Sequence, residues 1–246
     1  MYENREYILN DGERCRIISV KGKGKVEVEF LGYEGESHEV YKENLVKGKV
    51  KNPFKPTVSG VGVIGNGEYN TKTSINGVNI YRLWVRMIQR SCYNKTQERS
   101  PSYKGCSVDE VFTKYQEFAK WCFSQEFILK SYQLDKDLLV RGNKIYSPKT
   151  CCFLPRELND LLSYRKAVNS NCLIGVTDNG KGGYVSKIMT NLEQRYLGTF
   201  NTPEEAFYAY KEAKEDYIKE VANKYKDRID IRAYEALMKY EVNIDD

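Results

Sequence analysis

From residue 14 to residue 41, apolar and polar side chains alternate along the chain. The run Lys25-Val26-Glu27-Val28-Glu29-Phe30 does so without a break, which puts its apolar members on one face of a strand. Residues 14–20 and 39–41 read as further strands, and Gly32 and Gly35 mark a turn. Residues 1–52 are therefore expected to form a small β-barrel. Residues 49–57, with two prolines and three lysines, read as an extended linker. A hairpin is expected from residue 60 onward, turning at Asn76-Gly77. There the period changes. Leu83, Trp84, Met87 and Ile88 fall on one side of a helix over 80–93, with Arg82, Arg86 and Arg90 four apart on the other. A second helix is expected over 111–127, where Phe112, Tyr115, Phe118 and Trp121 read as a core stripe.

Residues 133–162 form a strand, loop, strand, helix pattern. Asp135 and Asp137 are two apart among Leu134, Leu138 and Leu139, a spacing that on a strand aims both carboxylates at one face. Arg141-Gly142-Asn143-Lys144 supplies a turn. Residues 151–154 give the second strand, and Pro155 opens a helix bearing Leu158, Leu161 and Leu162. A polar linker, 164–171, leads to strands expected at 174–176, 184–189 and 194–200. The helix that follows is announced by Asn201-Thr202-Pro203-Glu204-Glu205, an N-cap, a proline at N1 and two acids in the first turn. Acidic helices over 204–225 and 229–242 complete an α+β, multidomain chain.

Composition narrows the function. No run among the 246 residues approaches the roughly eighteen apolar residues of a membrane span, and the first residues hold no apolar leader, so a cytoplasmic protein with no membrane partner is expected. Seven cysteines, an odd number without a C-x-x-C pair, point to buried reduced thiols rather than a disulfide framework or a zinc site. The net charge of +5 is unevenly spread. Residues 60–163 carry 15 basic and 10 acidic groups, 164–200 carry five and two, and 201–246 carry eight and twelve. Clustered cations favour a polyanion such as nucleic acid.

The 133–162 unit resembles the ββα-metal core of the HNH (His-Me finger) endonucleases of phages and mobile introns. Leu134-Asp135-Lys136-Asp137, Gly142-Asn143, Tyr146, Pro148, Cys151, Phe153 and Asn159 carry the likeness, which extends over residues 60–163. It implies an HNH-like domain that cleaves double-stranded DNA with Mg2+ or Mn2+. Asp135 and Asp137 would hold the metal, with Asn143 or Asn159 completing its shell, and Asp135, Lys136 and Asp137 would form the catalytic group. The chain departs from the family at one place: Lys136 stands where the catalytic histidine is expected, and the only histidine, His38, lies far upstream. Lys136 would then serve as a phosphate clamp or an unusual base. The alternative is a non-catalytic DNA-binding or regulatory phage protein with a degenerate nuclease core, or an interaction protein that binds a host factor.

The stretch 168–225 resembles the plant APETALA/ethylene-response-factor type of DNA-binding domain. Gly175-Val176, Tyr184, Tyr196-Leu197-Gly198-Thr199-Phe200, Thr202-Pro203-Glu204-Glu205-Ala206 and Ala209-Tyr210 carry this likeness. It implies a three-stranded sheet laid in the major groove and backed by a helix, with Lys181, Tyr184, Lys187, Arg195 and Tyr196 facing DNA. Arg82, Arg86 and Arg90 are candidate phosphate contacts. Residues 1–52 resemble SH3-like or Tudor-like barrels in strand length. The last helix, within 226–246, is expected to pack on that barrel, on a host protein, or on a second copy as a homodimer.

Overall fold

The computed structural model describes residues 4–163, 172–191 and 193–245. Helices and several small sheets alternate along it, in two compact units. One is Met1–Ser124 with Lys144–Pro148, the other Gln125–Asn143 with Lys149–Asp246. The polar linker expected at 164–171, with Arg165 and Lys166, lies outside the described residues.

The first unit opens with β1 (Glu6–Ile8), β2 (Arg14–Gly22), β3 (Lys25–Phe30) and β4 (Ser37–Tyr41), antiparallel neighbours in that order. The alternation read from the sequence sets the inner face: Cys15, Ile17, Val26, Val28 and Phe30 are buried with Leu9, Val40 and Val50. The expected barrel is an open sheet instead. β1 and β4 are its two edges, and β1, at three residues, is too short to close a cylinder. Leu45 of the short helix α1 (Lys42–Val46) helps cover the inner face. Charges on this sheet are compensated. Arg16 pairs with Glu29 at 2.5 Å, Lys21 with Glu27 at 2.7 Å and Lys25 with Glu39 at 2.6 Å.

The hairpin expected from residue 60 is confined to β5 (Ser74–Ile75) and β6 (Val78–Asn79), with Asn76 and Gly77 both at positive φ between them. Upstream, Gly62 makes only an isolated bridge to Val58. A Cβ there would lie 2.9 Å from Trp84 and from Val58, so the chain turns tightly over the indole. Helix α2 (Ile80–Cys92) buries Ile80, Trp84, Met87 and Ile88, and Trp84 Nε1 donates to the Phe112 carbonyl at 2.8 Å. Helix α3 (Asn94–Arg99) and strand β7 (Ser107–Val108) follow. The single helix expected over 111–127 is two, α4 (Glu110–Thr113) and α5 (Tyr115–Phe123). Between them Lys114 leaves helical geometry, because Val63 pairs there: its N–H donates to Thr113 O at 2.9 Å and its carbonyl accepts from Tyr115 N at 2.8 Å. β8 (Tyr132–Asp135) belongs to the second unit, while β9 (Ile145–Tyr146) returns to the first and pairs parallel to β7.

In the second unit β8 pairs antiparallel with β10 (Cys152–Pro155), followed by α6 (Arg156–Leu162). Strands β11 (Val176–Asp178), β12 (Tyr184–Thr190) and β13 (Glu193–Phe200) form a meander, and α7 (Pro203–Lys224) and α8 (Ile231–Met238) end the chain. α7 serves two cores. Its Ala206, Phe207 and Tyr210 pack on Val176 and Ile188 of the sheet, whereas Ile218, Val221 and Ala222 pack with Leu138, Cys152, Leu154 and Leu158 of the ββα unit. The boundary between compact units therefore falls inside the 60–163 stretch. α8 is shorter than the helix expected over 229–242, because Val242 turns back into the sheet core and donates its N–H to Glu215. Ala233 and Leu237 of α8 are buried against α7. No helix among the described residues is long and apolar enough to cross a membrane.

Lys214 lies on the buried side of α7, and burial pushes its ammonium down to about 8. Below pH 8 the group is charged in both folded and unfolded chains, so the desolvation cost is carried in full. Between about 8 and the unfolded value of 10.5 the folded form gives up its proton first, and stability rises with pH. Lys214→Met is expected to stabilise the protein at pH 7 by on the order of 2 kcal/mol and to flatten that rise. Urea unfolding at pH 7 and pH 9.5 checks both, and an unchanged pH dependence would show that Lys214 does not carry it.

Candidate nucleic-acid interface

The register of the C-terminal meander sorts its side chains into two faces. Along β12, Ser186 and Ile188 are buried toward α7, so Val185, Lys187 and Met189 point away from it. Opposite them stand Thr177 of β11 and Thr199, Tyr196 and Gln194 of β13. A bulge makes this possible. Ser186 faces Gly198 but Lys187 faces Tyr196, which leaves Leu197 as the extra residue. Without it Tyr196 and Thr199, three apart, would lie on opposite faces; instead their hydroxyls are 2.7 Å apart. Lys187, Gln194 and Thr199 are exposed, and Tyr196 is 59% exposed.

Among the described residues the outer face thus carries one cation, four uncharged hydrogen-bonding side chains, Val185 and Met189, and no carboxylate. Two contacts stiffen its ends. At the β12–β13 turn the Tyr217 hydroxyl of α7 accepts from Asn191 N and donates to Asn191 Oδ1, both at 3.0 Å. At the β11–β12 turn Asn179 Oδ1 accepts from Lys181 N at 2.8 Å and Gly183 N at 3.0 Å, presenting the exposed Lys181 at that rim.

Of the residues expected to face DNA, Lys187 and Tyr196 share the outer face and Lys181 lies at its rim. Tyr184 does not: it pairs with Phe200 and packs against the helix-side core. Arg195 sits opposite Ile188, so its register is that of the helix side, though it is exposed near the sheet end. Thr177, Met189, Gln194 and Thr199 were not among the residues expected to face DNA. Gly198 inside a strand was the available signal, since a mid-strand glycine often marks a bulge and a bulge resets the faces.

The acidic hairpin is arranged differently from its sequence reading. β8 ends at Asp135, and Asp137 follows in a turn in which Asp135 Oδ1 accepts the N–H groups of Asp137 at 3.0 Å and Leu138 at 2.8 Å. The two carboxylates therefore do not share a strand face. Burial pushes the Asp135 carboxyl up, and those two N–H donors partly offset it. Lys136 is 4% exposed and its ammonium ion-pairs with Asp137 while lying 3.5 Å from the Asn143 carbonyl. Asn143 Nδ2 donates to Lys136 O at 2.7 Å, and Asn159 Nδ2 to Gln133 Oε1 at 2.7 Å.

This donor set does not fit a divalent metal. The outer carboxylate already holds a tethered cation, the inner one caps a turn, and the amides of Asn143 and Asn159 are engaged by Lys136 O and Gln133 Oε1. Among the described residues no group of three or more His, Cys, Asp or Glu side chains is placed to hold a metal. His38 lies in β4, with Nδ1 3.2 Å from Asn66 Oδ1. Arg82 and Arg86 project from α2 into solvent, and the Arg90 guanidinium lies 5.2 Å from the Tyr103 ring centroid. No protein-family model matches the chain, and neither curated proteins nor solved structures give a significant match.

Proposed function

We propose that the chain binds double-stranded DNA on the outer face of β11–β13 and leaves the duplex uncut. The observation that carries this is the exposed, carboxylate-free face on which Lys187, Gln194, Tyr196 and Thr199 come together. A cation and uncharged donors suit phosphate oxygens and base edges, whereas a carboxylate there would be repelled. The sheet's own acids, Asp178 and Glu193, stand opposite Tyr184 and Thr190 in the register of the helix side, and Glu204, Glu205, Glu212, Asp216 and Glu220 are on α7. The likeness to the APETALA/ethylene-response-factor domain supports the same face. The ββα unit acts as scaffold, because the buried Lys136 ion-pairs with Asp137 from within and Asp135 caps the turn that follows β8.

A labelled duplex titrated with protein in Mg2+ or Mn2+ is expected to shift in a native gel and to be recovered at full length. Lys187→Ala should weaken binding about 3- to 10-fold and lower the slope of log K against log salt by about one, as for loss of a single phosphate contact. No shift at low salt would refute the binding. Cleavage abolished by Asp135→Ala would refute the scaffold role.

A further inference from the structure

The strongest charge excess in the chain lies away from the C-terminal sheet. Residues 72–104 hold seven cations and one carboxylate, Glu98. Helix α2 turns its apolar side inward, which leaves Arg82 and Arg86 one turn apart and exposed. Lys95 and Arg99 are exposed on α3, and Lys104 is exposed beyond it. α3 is fixed to the end of α2 by Gln97, whose Nε2 donates to Ser91 O at 2.8 Å and Arg90 O at 3.3 Å. These cations differ from those of the N-terminal sheet. There Arg14, Arg16, Lys21 and Lys25 each pair with a glutamate, whereas none of the α2–α3 cations has an ion pair among the described residues.

Four exposed cations without an ion pair among the described residues on one short helix pair, with Lys104 just beyond it, repel each other and are retained at a cost unless a polyanion covers them. Arg82 and Arg86, a helical turn apart, match the spacing of neighbouring phosphates along one strand to within a side chain's reach. We propose that the α2–α3 surface is a second DNA contact, gripping the phosphate backbone of a duplex without regard to sequence. It rests on duplex DNA being the partner but does not need the C-terminal sheet.

The test uses the full chain, a fluorescein-labelled 20-bp duplex of random sequence, and separately phosphatidylserine vesicles. R82E/R86E should bind the duplex 10- to 100-fold more weakly at 0.1 M salt, with the salt slope reduced by about two and an unchanged melting temperature. R82Q/R86Q should fall between it and the wild type, which separates lost contacts from introduced repulsion. Unaltered affinity and slope in R82E/R86E would overturn the proposal, as would charge-dependent binding to vesicles with none to the duplex. A sheet variant, K187E/Y196A, keeps the two surfaces apart. If it binds like the wild type while R82E/R86E does not, the α2–α3 surface stands and the sheet falls; if neither variant differs, both fall.

Discussion

Gly175→Ala is expected to unfold the C-terminal sheet at denaturant concentrations that leave the wild type intact. Gly175 has φ +75°, and a Cβ added there would lie 2.2 Å from the ring of Tyr210, against which the start of β11 is pressed. Its carbonyl also accepts the Lys187 N–H at 3.1 Å, so a shift at this point carries β12 with it. Left-handed backbone on a residue with a Cβ costs about 1–3 kcal/mol, and overpacking a filled site adds about 1–3 kcal/mol. A loss of about 3 kcal/mol or more follows, and DNA binding should go with it. Gly180→Ala is the control. Gly180 has φ +68° but nothing within 4 Å of its would-be Cβ, so it should lose only about 1 kcal/mol. Urea unfolding followed by circular dichroism compares them; equal losses would mean that the Tyr210 ring does not confine this turn.

The double variant Lys187→Glu, Tyr196→Ala should reduce duplex affinity by about 30-fold or more. Reversing Lys187, the sole strand cation on the outer face among the described residues, removes one phosphate contact and adds repulsion, and deleting the exposed ring removes a large amphipathic contact. Together these are worth roughly 2–3 kcal/mol. Stability should hardly change, since both side chains point to solvent and the Tyr196–Thr199 hydroxyl contact is exposed. Tyr208→Ala, a 61% exposed tyrosine on α7, should leave affinity unaltered. Anisotropy titrations at fixed salt decide this, and equal effects of the Tyr208 and Tyr196 changes would remove the face from consideration.

Local chemistry was legible in the sequence wherever one residue's neighbours along the chain decide its conformation. The alternation of Lys25 to Phe30 gave a strand with Val26, Val28 and Phe30 inside. Thr202 caps α7 by accepting from Glu205 N, with Pro203 opening the helix, as the Thr-Pro-Glu-Glu run implies. Asn76-Gly77 made its turn and α2 buried its Trp84 side. What failed depends on partners distant in sequence. The break at Lys114 comes from Val63, some fifty residues earlier, and nothing in the aromatic stripe betrays it. The carboxylate spacing of Asp135 and Asp137 implied a shared face only while the strand continued; the turn after Asp135 removed that premise. Tyr184 was assigned outward because its strand was read without the register that seats it opposite Phe200. The open N-terminal sheet reflects strand length, which alternation alone does not set.

The claim on which the account rests is that duplex DNA lies on the outer face of the C-terminal sheet and not on the helix behind it. A photoreactive benzoyl-phenylalanine placed at Met189 on β12, which is 54% exposed, or at Tyr208 on α7 tests it directly. Irradiation with a labelled duplex should give a crosslinked species from position 189 that excess unlabelled duplex competes away, and none from position 208. A crosslink from 208 alone, or from neither position under conditions where the duplex is bound, would contradict it.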